Sequence, residues 1–294
     1  MKRYLLKMLR VVPDKVFIRF SYLLNHGRLP DLGHPRTFNE KLQWYKLHYR
    51  RPVMARMADK YAVRGYLADR GYAGLLNELY GVFDKVEEID FASLPERFVL
   101  KATHGWQMDL ICKNKRDLDW GKCRRLMAGW LKTNHFDVGR EWAYKHIPPR
   151  IICEKYLENE TIGELLDYKF YCFQGKAEAM FVCTGRQSSR GVRYRCYDMN
   201  WREIKVIKGK PASEIHVEKP RNFEAMKTIA EDLARGFPFL RVDFYEVGGR
   251  VIFGELTFYP DCGLHAFTPD RYNYFWGDLF VLPSQPLPET AANL

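Results

Sequence analysis

The segment from Phe239 to Phe258 constrains the fold of this chain more than any other. It reads as two strands around a Gly248-Gly249 turn and carries an acid on each strand, Asp243 and Glu255. A strict two-residue turn would set Asp243 opposite Gly254 and send the two acids to opposite faces, because strand side chains alternate with period two. A three-residue loop would set Asp243 opposite Glu255. The apolar pattern selects the second register, since only there do Val242, Phe244, Ile252, Leu256 and Phe258 gather on one face. Arg241, Asp243, Glu255 and Thr257 then share the other face. Directly opposed carboxylates repel, and a cation between them would remove that penalty. Magnesium suits such a pair: it takes oxygen ligands, keeps several waters and usually binds through one or two carboxylates plus substrate phosphates. Arg241 beside the pair could stabilise negative charge developing in a transition state. The same residues could also form a solvated polar face with Arg241 in ordinary salt bridges.

At 294 residues, 47% hydrophobic and 15% aromatic, the chain can bury one large core or two smaller ones, and it shows no internal repeat. Seven cysteines, an odd number without C-x-x-C spacing, sit mostly in apolar runs such as Ile151-Ile152-Cys153. Buried reduced thiols are expected, in a cytoplasmic protein without a disulfide framework or zinc knuckle. The net charge of +11 does not imply nucleic acid, because the basic residues are interleaved with 36 acidic ones and no nucleic-acid motif is present. Anionic substrates, nucleotide phosphates or a lipid surface account for it equally well. The first ten residues, with Lys2, Arg3, Lys7 and Arg10, are basic and amphipathic. No apolar run of about 18 residues follows and no cleavage site is evident, so a secretory signal or a membrane span is not expected. Continued through Leu24, this stretch could lie on an anionic membrane face, or it could be a basic-faced helix docked on its own protein.

Thr37-Phe38-Asn39-Glu40 has the form of a capping box and predicts a helix that ends at Tyr49-Arg50-Arg51-Pro52. A second helix is predicted from about Val53 to Arg70, stopping at Gly71. From Phe98 the texture changes to short β-rich runs, interrupted by helices at about 121–133 and 221–235. The pattern is that of an α+β protein built on antiparallel sheets, with a helical lobe first. Lys101 closes a strand ahead of the small-residue turn Ala102-Thr103-His104-Gly105, whose amides could approach phosphate. Glu154-Lys155-Tyr156-Leu157 follows another strand, where backbone groups could read an adenine edge while the acid takes its amino group. Asp167 and Lys169 open the next strand on one side, suited to a ribose hydroxyl and a phosphate. Each of these motifs alone also fits a structural role.

Taken together and in order, Thr37 to Trp44, Ala58-Asp59-Lys60-Tyr61-Ala62-Val63-Arg64, Leu94 to Gly105, Glu154-Lys155-Tyr156-Leu157, Asp167-Tyr168-Lys169-Phe170 and Gly254-Glu255-Leu256-Thr257-Phe258-Tyr259-Pro260 resemble the ATP-grasp family named for a teichuronopeptide biosynthesis protein (TupA-like). The resemblance implies an ATP-grasp fold with two α+β subdomains gripping ATP, an acyl-phosphate intermediate attacked by an amine, and work on cell-surface polysaccharides such as capsule or O-antigen. It implies Lys101 on the α- and β-phosphates, with His104 and Gly105 in the phosphate loop, Glu154 to Leu157 as the adenine hinge and Asp167 on the ribose. Asp243 and Glu255 would be the magnesium carboxylates, with Thr257 in the place of a third metal oxygen. Arg241 would lie near the transferred phosphoryl group, and Lys169 would act beside it. Two features depart from the family pattern. Trp106-Gln107-Met108 stand where small residues usually continue the phosphate loop, and Thr257 replaces an asparagine found in the related D-alanine:D-alanine ligases.

The expected organisation is a basic segment at 1–30, a helical lobe at 31–95, a small ATP-grasp subdomain at 96–150, a large one with the hairpin at 151–285, and a tail at 286–294. The expected activity is an ADP-forming carboxylate–amine ligase using ATP and Mg2+ on an anionic glycan or uronic acid and an amine or amino acid. A glycan kinase, a glycosyltransferase and a nonenzymatic assembly protein of the same pathway are the alternatives. Acceptor contacts are expected from two loops, through Arg186, Arg190 and His265. Peripheral contact with the inner face of the plasma membrane, or with glycan assembly enzymes, is a further expectation.

Overall fold

The computed structural model describes residues 11–158, 165–185, 191–209 and 211–285. The basic segment's first ten positions and the tail 286–294 lie outside the described residues, as do Arg186 and Arg190. The chain divides into two compact units, one of residues 11–51 with 158–285 and one of residues 52–157. Residues 52–95 and the strand beginning at Ile151 therefore belong with residues 96–150. No helix among the described residues is long and apolar enough to cross a membrane.

Helix α1 (Asp14–His26) ends at Gly27, whose φ of 69° is a left-handed C-cap suited to glycine. Helix α2 (Phe38–His48) starts on the capping box read from the sequence. The Thr37 hydroxyl accepts the Glu40 amide at 3.3 Å, and Glu40 accepts the Thr37 amide at 3.1 Å.

In the unit 52–157 the predicted long helix is instead two short ones, α3 (Val53–Ala58) and α4 (Ala62–Asp69). The break falls at Asp59, whose backbone turns extended and whose side chain accepts the amides of Tyr61 and Ala62 at 2.8 and 3.2 Å. A short acid that bonds its own following backbone competes with helix continuation. Four strands, β1 (Leu79–Phe83), β2 (Phe98–Ala102), β3 (Asp109–Cys112) and β4 (Ile151–Lys155), form an antiparallel sheet in the order β1-β4-β2-β3. Helix α5 (Trp120–Leu131) lays Cys123, Met127 and Trp130 into the core with Phe98, Leu100, Cys112 and Cys153. A single turn, α6 (Phe136–Gly139), follows.

In the other unit, β5 (Asp167–Phe173), β6 (Lys176–Thr184), β7 (Arg193–Tyr197), β8 (Glu203–Ile204), β10 (Phe239–Val247) and β11 (Arg250–Thr257) form an antiparallel sheet in the order β11-β10-β5-β6-β7-β8. A two-residue strand β9 (Ile207–Lys208) pairs with β12 (Phe267–Thr268). Helix α7 (Phe223–Ala234) covers one face, with Phe223 against Phe170 and Phe170 against Phe244. On the other face Phe38, Tyr171, Phe173, Phe239, Phe280 and Trp276 of α8 (Arg271–Leu279) pack ring against ring, with Phe38 and Phe239 5.0 Å apart. All seven cysteines are buried, as their place in apolar runs led us to expect.

The hairpin reaches the expected register by a different route. Val247 pairs with Arg250, so the turn is the two residues Gly248-Gly249, both at positive φ (58° and 74°), the hairpin geometry that fits strand twist. Between Asp243 and Phe244 the register shifts by one residue, and Gly254 is the extra residue of a β-bulge. Asp243 then faces Glu255, while Phe253 lies opposite Phe244 and Ile252 lies opposite Tyr245. The three-residue loop is therefore replaced by a tight turn plus a bulge, and Phe253 takes the place expected for Ile252. Glycine fits the bulge because a Cβ there would approach the Asp243 carbonyl oxygen to 3.0 Å.

Gly277 of α8 lies against the backbone that enters α2: a Cβ at this position would come 2.9 Å from Phe38 N and 3.0 Å from Thr37 C, and still closer to Arg36 O. Gly277→Ala is therefore expected to destabilise the chain by about 1–3 kcal/mol or more through overpacking. Thr37→Ala should cost about 1 kcal/mol through the lost cap. Urea midpoints at unchanged slope measure both, and a Gly277→Ala protein as stable as the parent would contradict this packing.

Candidate active site

Three neighbouring strands bring the charged residues of the sheet into one row. Asp243 on β10 lies opposite Lys169 on β5 and opposite Glu255 on β11, and the next row holds Tyr171, Arg241 and Thr257. Arg241 Nε donates to Asp243 Oδ1 at 2.7 Å and its Nη2 to Oδ2 at 2.8 Å, while Nη2 also donates to Glu255. Lys169 Nζ donates to Asp243 Oδ2 and lies 2.6 Å from Asp167 Oδ2. Two cations thus hold three carboxylates. Arg241 bridges both opposed acids, so the guanidinium itself offsets their repulsion and the hairpin does not need a metal for that purpose.

Burial disfavours charge at Asp243 and at Arg241. It pushes the Asp243 carboxyl up, to about 6, with Asp167 and Glu255 adding to the rise against the pull of Arg241 and Lys169. Burial also works against the charge on Arg241, but Asp243 and Glu255 outweigh it and hold that pKa well above its ordinary value. Asp243 is 1% exposed, whereas the Glu255 side chain is 32% exposed, so the row opens to solvent at its Glu255 end.

The donor set fits magnesium. Two carboxylates stand side by side, and the buried Thr257 hydroxyl beside them has no hydrogen-bond partner among the described residues. Among the described residues no group of three or more His, Cys, Asp or Glu side chains has metal-holding geometry. A cation here would rest on the Asp243–Glu255 pair and on oxygens supplied by substrate, which is how magnesium usually binds.

A second ion pair, absent from the sequence reading, adjoins the row through Tyr171, with its Lys208 buried and its Asp261 partly so. Lys208 Nζ donates to Tyr171 Oη at 2.6 Å, pairs with Asp261, and lies 5.2 to 5.3 Å from the centroids of Tyr171, Phe181 and Tyr194. Asp261 and Cys262 both adopt left-handed φ, 50° and 56°. Lys46 and Gln43 of α2 lock that turn by donating to Cys262 O at 2.7 and 3.0 Å. Burial would raise the Asp261 carboxyl, but Lys208, His265 and Arg241 outweigh it and hold it at about 2. His265 is half exposed with Nδ1 3.6 Å from Asp261. A lysine on a two-residue strand leaves no periodic signal, which is why Lys208 could not be singled out.

In the four-stranded sheet Glu154 lies opposite Val99, on the same side as Lys101. Its carboxylate takes Lys101 Nζ at 2.7 Å and Arg64 Nη1 at 3.2 Å. The Lys155 amide donates to Glu78 O at 3.0 Å and its carbonyl accepts Asn77 Nδ2 at 2.8 Å, so both of its backbone groups, expected at an adenine edge, are already engaged. Tyr156 lies under the Arg97 guanidinium, 4.5 Å from its ring centre, and Leu157 is half-buried. His104 is buried with Nε2 3.0 Å from Trp130 O. The Gly105 carbonyl accepts Lys60, and the Trp106 indole donates to Glu141 at 3.2 Å. Trp106, which breaks the small-residue pattern of the loop, thus pins it.

Each unit thus carries its own antiparallel sheet, one with a Lys–Glu pair and the other with opposed hairpin acids flanked by Arg and Lys. The TupA-like ATP-grasp family model matches residues 40–281, and the chain belongs to that family. No curated protein matches it. Among solved structures, a D-alanine–D-alanine ligase from Bacillus anthracis is 16% identical with a TM-score of 0.44, covering 76% of this chain and 65% of that one. The corresponding ligase from Helicobacter pylori is 11% identical with a TM-score of 0.41, covering 77% and 61%. The ATP-grasp ligase PsnB complexed with a minimal precursor is 14% identical with a TM-score of 0.40, covering 70% and 54%. The chain spans about half the length of the first solved structures it matches.

His135 gives the unit 52–157 a defined pH response. Burial, with Lys60 and His104 adding, lowers its pKa from 6.5 to about 4, and its Nδ1 accepts the Trp106 amide at 3.3 Å. A histidine kept neutral in the fold contributes stability that is present above its unfolded pKa and is lost as pH falls toward the folded value. Stability is therefore expected to drop by about 3 kcal/mol between pH 6.5 and 4 from this residue. Urea unfolding across that range should show the slope, and His135→Gln should flatten it. An unchanged slope in the variant would assign the loss elsewhere.

Proposed function

We propose that this protein is an ATP- and magnesium-dependent carboxylate–amine ligase that releases ADP and acts on cell-surface polysaccharide. One observation carries the reading: Asp243 and Glu255 stand opposed on a bulged hairpin, bridged by Arg241 and backed by Lys169, in a chain of the TupA-like ATP-grasp family. Asp243, Glu255 and the Thr257 hydroxyl would hold magnesium, which would draw charge from the phosphate oxygens. Arg241, fixed by two bonds to Asp243, would present its guanidinium to the transferred phosphoryl group, where catalysis is mainly positioning and charge stabilisation. Lys169 would add a second fixed positive charge. Lys101 is the residue we assign to the α- and β-phosphates, Asp167 to the ribose, and Glu154, Tyr156 and Leu157 with His104 and Gly105 to the remaining nucleotide contacts.

In the reaction a carboxylate oxygen of the substrate attacks the γ-phosphorus, and the bond to the bridging oxygen breaks to release ADP. An amine nitrogen then attacks the acyl carbon, the new carbon–nitrogen bond forms, phosphate leaves and the nitrogen loses a proton. The carboxylate fits a uronic acid or other anionic glycan, and the amine an amino acid. His265, half exposed beside Asp261, together with Arg186 and Arg190, is the proposed acceptor contact.

The test is ADP release from ATP that requires both a carboxylate and an amine. Asp243→Asn and Glu255→Gln should each lower kcat on the order of a hundredfold or more, with melting temperatures recorded alongside. Activity surviving both changes would remove the metal assignment. A stable phosphorylated glycan formed without any amine would replace the ligase with a kinase.

A further inference from the structure

We infer that α1 docks the protein on an anionic lipid surface. The helix uses two faces. Ile18 and Tyr22 are buried against the body of the protein, with Tyr22 stacked on His26 at 4.1 Å. On the opposite side Val16, Phe20 and Leu24 are 55%, 59% and 69% exposed, with Leu23 between them also exposed. Positions 16, 20, 23 and 24 fall on one helical stripe, about 12 Å long at 1.5 Å per residue. Single exposed apolar residues are ordinary, but four on one stripe of one helix are a surface built to be covered.

Charge identifies the cover. Arg19 borders this stripe and Lys15, one turn earlier, lies on the same side toward Tyr22, while Lys2, Arg3, Lys7 and Arg10 precede it in sequence. The single acid in the first 20 positions, Asp14, faces Arg50 at 3.7 Å, so it adds no free negative charge. An apolar stripe with cations along one edge and a basic segment before it matches the headgroup and acyl boundary of an anionic bilayer, where the apolar side chains sink in and the cations meet phosphate. A second copy of the chain would bring the same positive charge to the contact and be repelled. Neither Val16, Phe20, Leu23 and Leu24 nor the basic residues belong to the nucleotide or metal sets above, so the inference stands apart from the ligase reading.

The experiment is cosedimentation of the full chain with vesicles of phosphatidylglycerol and phosphatidylethanolamine, and separately of phosphatidylcholine alone, at low and high salt. Binding to the anionic vesicles, reversed by salt and absent from phosphatidylcholine, is the expected result. Phe20→Glu with Leu24→Glu, and separately Lys15→Glu with Arg19→Glu, should each lower partitioning on the order of tenfold or more, at unchanged melting temperature. No binding to anionic vesicles, or parental binding by the Phe20→Glu/Leu24→Glu protein, would overturn the proposal. So would a concentration-dependent dimer in analytical ultracentrifugation that those substitutions abolish while vesicle binding is absent throughout.

Discussion

A carboxylate buried in the middle of a sheet sets the terms for the larger unit. Asp243 sits at 1% exposure, and taking an ion out of water costs several kcal/mol unless partners replace the lost hydration. Arg241 and Lys169 supply those partners, and the strand register leaves them no other place to stand. Their orientation is thus settled by folding and not by substrate. Groups held in this way need not reorganise when charge develops near them, which is where fixed dipoles and ions are most effective. The arrangement that keeps a buried acid tolerable is the same one that presents two oriented cations.

The fold was legible where side-chain periodicity carries information. Asp243 and Glu255 could be set opposite each other because any other register scatters the apolar residues, and the capping box at Thr37 located α2. The route to the register was misread for a physical reason. Gly248-Gly249 satisfies a two-residue turn unaided, and the lone Gly254 within a strand is itself a sign of a bulge. Between Val53 and Arg70 helical spacing continues smoothly, yet the Asp59 carboxylate captures the next amides and ends α3. β1 escaped because its five residues are all half-buried and include Gly81, so neither alternation nor an apolar run marks it.

The charged partners were less legible than the charges. Lys101 and Glu154 are 53 positions apart, and only the β2–β4 register places them on one side of a sheet. Lys155 illustrates the converse: a residue at a strand end looks exposed in sequence, but Glu78 and Asn77 lie alongside and take both of its backbone groups. Thr257 stands out in sequence only by its place in a motif, and its buried hydroxyl supplies a chemical reason.

Helix α2 finds its hydrogen-bonding partners at the far end of the chain. Asn39 bonds Asn273 and the His265 carbonyl, Lys41 bonds the Gly277 carbonyl, and Gln43 and Lys46 bond the Cys262 carbonyl. These contacts span more than 200 residues, while residues 52–157 complete their own sheet and core within one continuous stretch. On a ribosome the inserted unit can therefore close first. The early helix must remain soluble without its tertiary partners until the last strands and α8 emerge, which makes the interval before release the period when its apolar residues, Phe38 above all, are most open to mispairing or chaperone capture.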